Sequence, residues 1–106
     1  MAFAFDLTES ATADLQDAIS YIAADNVTAA LKVADNLERS FRFLSDWPDA
    51  GHRRQDLTDS TTVRFWATGR YLIAYLPLTK PLLIIAVVHA SRDIRALLPG
   101  RLELLQ

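Results

Sequence analysis

The chain of 106 residues contains no cysteine. That excludes a disulfide framework, a thiolate metal site and a cysteine nucleophile, and it suits a reducing compartment. Glycine is scarce: there are three, and Gly51 and Gly69 are taken up by turns, so no Gly-rich phosphate loop can be built. The longest apolar run, 82–88, is far too short to span a bilayer. The opening "MAFAFDLTES" lacks the basic start and long apolar core of a secretory signal; a cytoplasmic protein with no membrane partner is expected. Histidines and carboxylates fall at no convincing ligand spacing, so neither a metal nor another cofactor is expected. A basic excess is missing too. Net charge is −2 with a pI near 5.5, whereas proteins that grip nucleic acid through its phosphates usually carry surplus cations.

What is present is an apolar half, 51% of residues, enough for the core of one domain over 1–106. Residues 2–7, "AFAFDL", place Phe3 and Phe5 in period two, as in an edge strand. Thr8 can cap a helix whose stripe is Ala11, Leu15, Ala18, Ile19 and Ile22, leaving Asp14, Gln16 and Asp17 toward water. Asp25-Asn26 breaks it. Asn26 or Thr28 caps a second helix striped with Ala30, Val33, Ala34, Leu37, Phe41 and Leu44, which ends at Trp47-Pro48. Residues 52–61 show no period and read as a surface loop. Strands follow at 62–67, 70–76 and 82–90, with turns at Thr68-Gly69 and between Pro77 and Pro81. A short last helix starts near Ser91 and ends at 98–100. The order β-α-α-β-β-β describes an α+β fold: an antiparallel sheet, a helical hairpin packed on one face, and a short C-terminal helix.

Register follows from pairing Leu76 with Leu82 and Ala67 with Arg70. Tyr71 then faces Val87, and Trp66 faces Tyr71. One side of the sheet shows Val63, Phe65, Ala67, Leu72, Ala74, Leu76, Ile84, Ala86 and Val88, and is expected to receive the hairpin. The other shows Arg64, Trp66, Tyr71, Ile73, Tyr75, Leu83, Ile85, Val87 and His89. With only residues 101–106 left to cover it, this second side reads as a partner-binding face. Arg64, Trp66, Tyr71, Tyr75, His89 and Arg92 are its candidate contacts, being of the types that dominate interfaces.

The chain resembles the ParE/RelE superfamily of toxins from bacterial toxin–antitoxin pairs. The matching pieces are "ATADL" (11–15), "YIAADN" (21–26), "WPDAG" (47–51), "GRYLIAY" (69–75) and "VVHASRD" (87–93). They occur in the family's order and together span nearly the whole chain. The resemblance implies a small α+β toxin, silenced in a hetero-oligomeric complex by a cognate antitoxin encoded beside it. ParE-like members of the superfamily poison DNA gyrase by trapping its cleaved DNA complex; RelE-like members cleave messenger RNA on the ribosome.

For RNA cleavage a base must take the 2′-hydroxyl proton, an acid must protonate the leaving oxygen, and cations must hold the phosphate. His89, Arg92 and Arg70 are the catalytic candidates on that reading, with Tyr71 and Trp66 to stack a base. The supply of cations is thin. Leu72 stands where a strand arginine of the RelE-like group would fall, and only Arg53 and Arg54 in the loop could substitute. The acidic balance also disfavours the phosphate-dense ribosome. The wording of 69–75 and 89–94 lies closer to ParE-like members, so gyrase poisoning is the expected activity and no enzymatic step is required. An mRNA endonuclease is the alternative, and a toxin-fold module that only binds an antitoxin is a third reading. Against these stand plainer roles: Ser91 or Asp93 capping the last helix, and His89 packed at the core's edge.

Overall fold

The computed structural model describes residues 4–105. Phe3, expected in the first strand, lies outside the described residues. The elements are β1 (Phe5–Leu7), α1 (Glu9–Ala23), α2 (Val27–Asp46), a 3-10 turn (Pro48–Ala50), β2 (Arg64–Thr68), β3 (Tyr71–Leu76), β4 (Leu82–His89) and α3 (Ile94–Glu103). The sheet order is β1-β4-β3-β2. Strands β2, β3 and β4 form an antiparallel meander, and β1 joins the far edge parallel to β4.

Capping side chains set the helix limits. The Thr8 hydroxyl accepts from the Ala11 amide (3.1 Å), and the Asn26 side chain accepts from the Ala29 amide (3.0 Å), each satisfying an N–H that has no partner within its helix. At the third helix the cap is Asp93, accepting from Ala96 N at 3.2 Å. Here the helix runs on through Pro99 to Glu103, past the expected stop at 98–100. Proline inside a helix costs about 3 kcal/mol. Continuing nevertheless packs Leu98 and Leu102 on the sheet and delivers Arg101 to a partner on α1.

Gly69 turns β2 into β3 with φ +58°, a backbone that glycine adopts freely. The turn is Gly69-Arg70, with Thr68 opposite Tyr71, so the pairing lies two residues from the expected one. The β3–β4 pairing is displaced equally, Tyr71 facing His89 and Ile73 facing Val87. A shift of two keeps every side chain on its face. Between Ala74 and Tyr75 the register slips by one, leaving Ile85 as the extra residue of a β-bulge. The bulge moves Ile84 to the face of Tyr75, and Ile85 to that of Ala74.

The expected covering of the sheet is reversed. Leu37, Phe41 and Leu44 of α2 and Ala11 of α1 pack on Ile73, Tyr75, Ile84 and Val87, with Trp66 and Tyr71 at the margin. The hairpin therefore lies over the face assigned to a partner. The purely apolar face, with Val63, Phe65, Leu72, Ala74, Ala86 and Val88, is closed by Ile94 and Leu98 of α3 and by Leu57. Residues 52–61 are thus more than a surface loop: Thr58 is buried, and His52 bridges Phe65 in both directions at 2.8 Å.

Asp14 is the other departure, because it does not face water. Strand β1 ends at Leu7, where Thr8 turns away to cap α1, and β4 runs on without a neighbouring strand there. Asp14 Oδ2 accepts from the Val87 amide (3.0 Å), and Arg101 Nη1 donates to the Ile85 carbonyl (3.1 Å). The two side chains meet in a fork, Nη2 to Oδ1 at 2.9 Å and Nη1 to Oδ2 at 2.5 Å. The Asp14 hydrogen bonds push the Arg101 guanidinium above its usual range. An ion pair thus stands in for the missing strand and ties α1, β4 and α3 together.

Candidate functional site

The singled-out side chains fall into two groups. Tyr75 belongs to the first. It is fully buried, donates to the Pro48 carbonyl (2.6 Å) and accepts from the Gly51 amide (2.9 Å), pinning the turn after α2 onto β3. It offers no surface to a partner, which corrects its place among the candidate contacts. Burial raises its phenol pKa, against a smaller opposing pull from the Gly51 amide. Tyr75→Phe is expected to cost about 1–3 kcal/mol by stranding both backbone groups. The folded chain holds the phenolic proton more tightly than the unfolded chain. Its contribution is therefore complete below the unfolded pKa of about 10 and is lost as pH rises through the folded value. Urea unfolding of the two proteins across this range checks it: the gap between them should narrow above about pH 10.

Arg64 and Trp66 are engaged in the same region. The Arg64 guanidinium donates to the Gly51 carbonyl (2.9 Å) and sits 3.8 Å from the Asp49 carboxylate. Trp66 lies against Phe43 of α2 with ring centroids 5.2 Å apart. Neither belongs to an open face; both hold the base of the hairpin on the sheet.

The second group gathers at the opposite end of the strands. Arg70 occupies the β2–β3 turn, Tyr71 opens β3 and His89 closes β4, with Tyr71 directly opposite His89. Their rings meet edge to face, 5.7 Å apart at 81°. The Arg70 carbonyl accepts from the Ala90 amide (2.8 Å), and the His89 carbonyl from the Arg92 amide (2.9 Å), so backbone bonds draw Arg92 to the same end. His89 is tied to the turn that follows it. Its Nδ1 accepts from the Ser91 amide at 3.1 Å and lies 2.7 Å from the Ser91 hydroxyl, so this nitrogen is spent on the turn. Ser91, expected as a possible helix cap, serves this turn; Asp93 is the cap.

Arg39, Arg42, Arg54, Arg64, Arg95 and Arg101 are each paired with a carboxylate. Arg53, Arg70 and Arg92 have no such partner among the described residues, and two of these three stand at this end of the sheet. A cavity of about 460 Å³ opens beside them. It is lined by Ile22, Val33, Asn36 and Leu37 of the hairpin and by Arg70, Tyr71 and His89 of the sheet's end. Sequence reasoning placed Ile22, Val33 and Leu37 on core stripes. Nothing in a stripe distinguishes a residue above the sheet from one overhanging its end. Among the described residues no group of three or more His, Cys, Asp or Glu could hold a metal, and no helix is long and apolar enough to cross a membrane.

Residues 5–94 match the family model described as "ParE toxin of type II toxin-antitoxin system, parDE". The chain belongs to the ParE toxin family. The match runs from β1 to the first residue of α3, so it takes in the hairpin, the meander and the cluster at the sheet's end. No individual curated sequence matches the chain. As a member of the ParE family it is the toxin component of a type II toxin–antitoxin system, and an antitoxin is its implied partner. The resemblance carried by the order of its motifs is thereby established over most of its length.

Proposed function

We propose that this ParE-family toxin arrests growth by poisoning DNA gyrase and is kept inactive in a hetero-oligomeric complex with its cognate antitoxin. The observation that carries the choice of target is the composition of the sheet's end. Arg70 and Arg92 supply cations for gripping an anionic surface, but a base and an acid for cutting RNA are not both at hand. His89 has its Nδ1 occupied by Ser91. Tyr75 is buried, and Tyr71 is packed edge-on to His89. The net charge of −2 adds weight against a ribosomal site.

Inducing the chain alone in a bacterial host and pulse-labelling DNA and protein synthesis over the first minutes tests the target. Early loss of DNA synthesis with translation spared is the expected result. Translation failing first would replace this reading with mRNA cleavage. If neither falls, the chain is a module that only binds its antitoxin. Within the gyrase reading, Arg92→Ala is expected to weaken growth arrest about tenfold. Antitoxin affinity should change by less than about fivefold, the ceiling for one exposed charge pair. Titrating inducer against growth, beside a binding isotherm with the purified antitoxin, compares the two; equal losses would reduce Arg92 to a structural residue.

A further inference from the structure

The strand end remote from Arg70 is organised around one turn. There α2 passes through Trp47 into the 3-10 turn Pro48–Ala50. The Trp47 amide donates to the Phe43 carbonyl (2.9 Å), and the Trp47 carbonyl accepts from the Ala50 amide (3.0 Å). Beneath them the Tyr75 hydroxyl joins Pro48 to Gly51. A fully buried tyrosine thus fixes this turn, and what the turn displays is an indole: Trp47 is 63% exposed. Leaving so large a ring in water forgoes hydrophobic stabilisation, and tryptophan on a rigid backbone is the residue type that dominates binding energy. With Phe43, Asp46, Pro48, Asp49 and Ala50 it lines a hollow of about 400 Å³. Phe43 is itself steadied by Trp66, the ring centroids 5.2 Å apart.

The hollow is negative for two separate reasons. It lies at the C-terminal end of α2, a helix of 20 residues whose aligned peptide dipoles leave partial negative charge there. Lysine or arginine in a last turn ordinarily answers that charge; α2 has neither, and its last residue is Asp46. Asp46 forms no ion pair among the described residues, although Lys80 shares an adjoining hollow with it. The Asp49 side chain, 86% exposed, has Arg64 only at 3.8 Å, and that guanidinium already donates to the Gly51 carbonyl. A carboxylate at the negative end of a helix works against the fold until a cation meets it.

We infer that this hollow receives an arginine side chain carried by a basic segment of a partner protein. The guanidinium lies over the Trp47 ring, and its N–H groups donate to Asp46 and Asp49. Arginine suits the site better than lysine, because a flat cation stacks on indole and its fork reaches two carboxylates at once. The volume takes one long side chain and its neighbours, not a folded surface. In position and in sign of charge the site is the reverse of the cavity beside Arg70. The inference goes beyond the toxin reading and does not rest on it.

A blocked pentapeptide with a central arginine between leucines is the probe, titrated into the full chain while the Trp47 indole N–H signal is followed by NMR. A saturable shift is expected. Citrulline in place of the arginine, equal in shape but uncharged, should bind about tenfold more weakly, and so should the parent peptide to Trp47→Ala. Asp46→Asn removes a charge that the helix end disfavours, so the fold is kept while affinity falls about tenfold. Three outcomes would overturn the inference: no saturation, equal binding of the citrulline peptide, or affinity unchanged in both variants. Self-association of the free chain that Trp47→Ala abolishes would also overturn it, in favour of a second copy as the occupant.

Discussion

Asp14→Ala is expected to lower the unfolding free energy by about 3–5 kcal/mol, the range for breaking a buried ion pair from one side. That is a large share of the roughly 5–15 kcal/mol by which domains are stable. Two losses combine. The Arg101 side chain, 17% exposed, keeps its charge with no counter-ion, and the Val87 amide loses its acceptor on an edge that no strand covers. Urea unfolding measures the total, and hydrogen exchange at Val87 reports the edge. Replacing both partners, Asp14→Leu with Arg101→Met, should recover part of the loss, because the uncompensated charge is gone. Recovery should be incomplete, since Val87 N–H and Ile85 C=O remain without partners. A loss below about 1 kcal/mol for Asp14→Ala would show the pair to behave like an exposed surface bridge and to contribute little to holding α3.

The same pair marks the limit of what the sequence discloses. Local chemistry was legible where one residue decides one feature: Thr8 and Asn26 as caps, Gly69 in the hairpin turn, and the 3.6-residue stripe from Ala30 to Leu44. Faces within β2 and β3 were legible too, because a register error of two residues preserves parity. Which cover lies on which face was not. Both sides of this sheet are buried, so the strands read as apolar throughout and alternation carries no sign. Tyr75 and Trp66 looked like surface aromatics for that reason, whereas the hairpin needs large side chains to fill the space beneath it. The bulge at Ile85 leaves no mark in a run such as "LLIIAVV". Asp14 read as solvent-facing because its partner lies at the far end of the chain, beyond any spacing rule. At the sheet's end, the expected register put Tyr71 and His89 on one face, and they lie directly opposite each other there, but the helical wall beside them depends on how far the hairpin overhangs.

Gly51→Ala is expected to destabilise the fold by about 3 kcal/mol, at the upper end for overpacking. The residue has ordinary extended backbone, φ −72° and ψ 174°, so conformational freedom is not the reason for glycine here. Space is. A methyl group at this position would lie 2.4 Å from the Tyr75 hydroxyl oxygen, and 2.8 Å from both the Tyr75 ring and the Phe65 carbonyl oxygen. None of these can withdraw cheaply. The Phe65 carbonyl accepts from His52, and the Tyr75 hydroxyl is held between Pro48 and Gly51 itself. Moving the turn instead would also pull the Gly51 carbonyl from Arg64. The closest conflict is with a single oxygen, which makes the effect separable. In Tyr75→Phe that oxygen is absent, and Gly51→Ala added to it should cost less than in the parent, by roughly 1 kcal/mol or more. A thermodynamic cycle of the four proteins by urea unfolding measures this coupling. Simple additivity would mean that the Phe65 carbonyl and the Tyr75 ring, not the tyrosine hydroxyl, exclude a side chain from position 51.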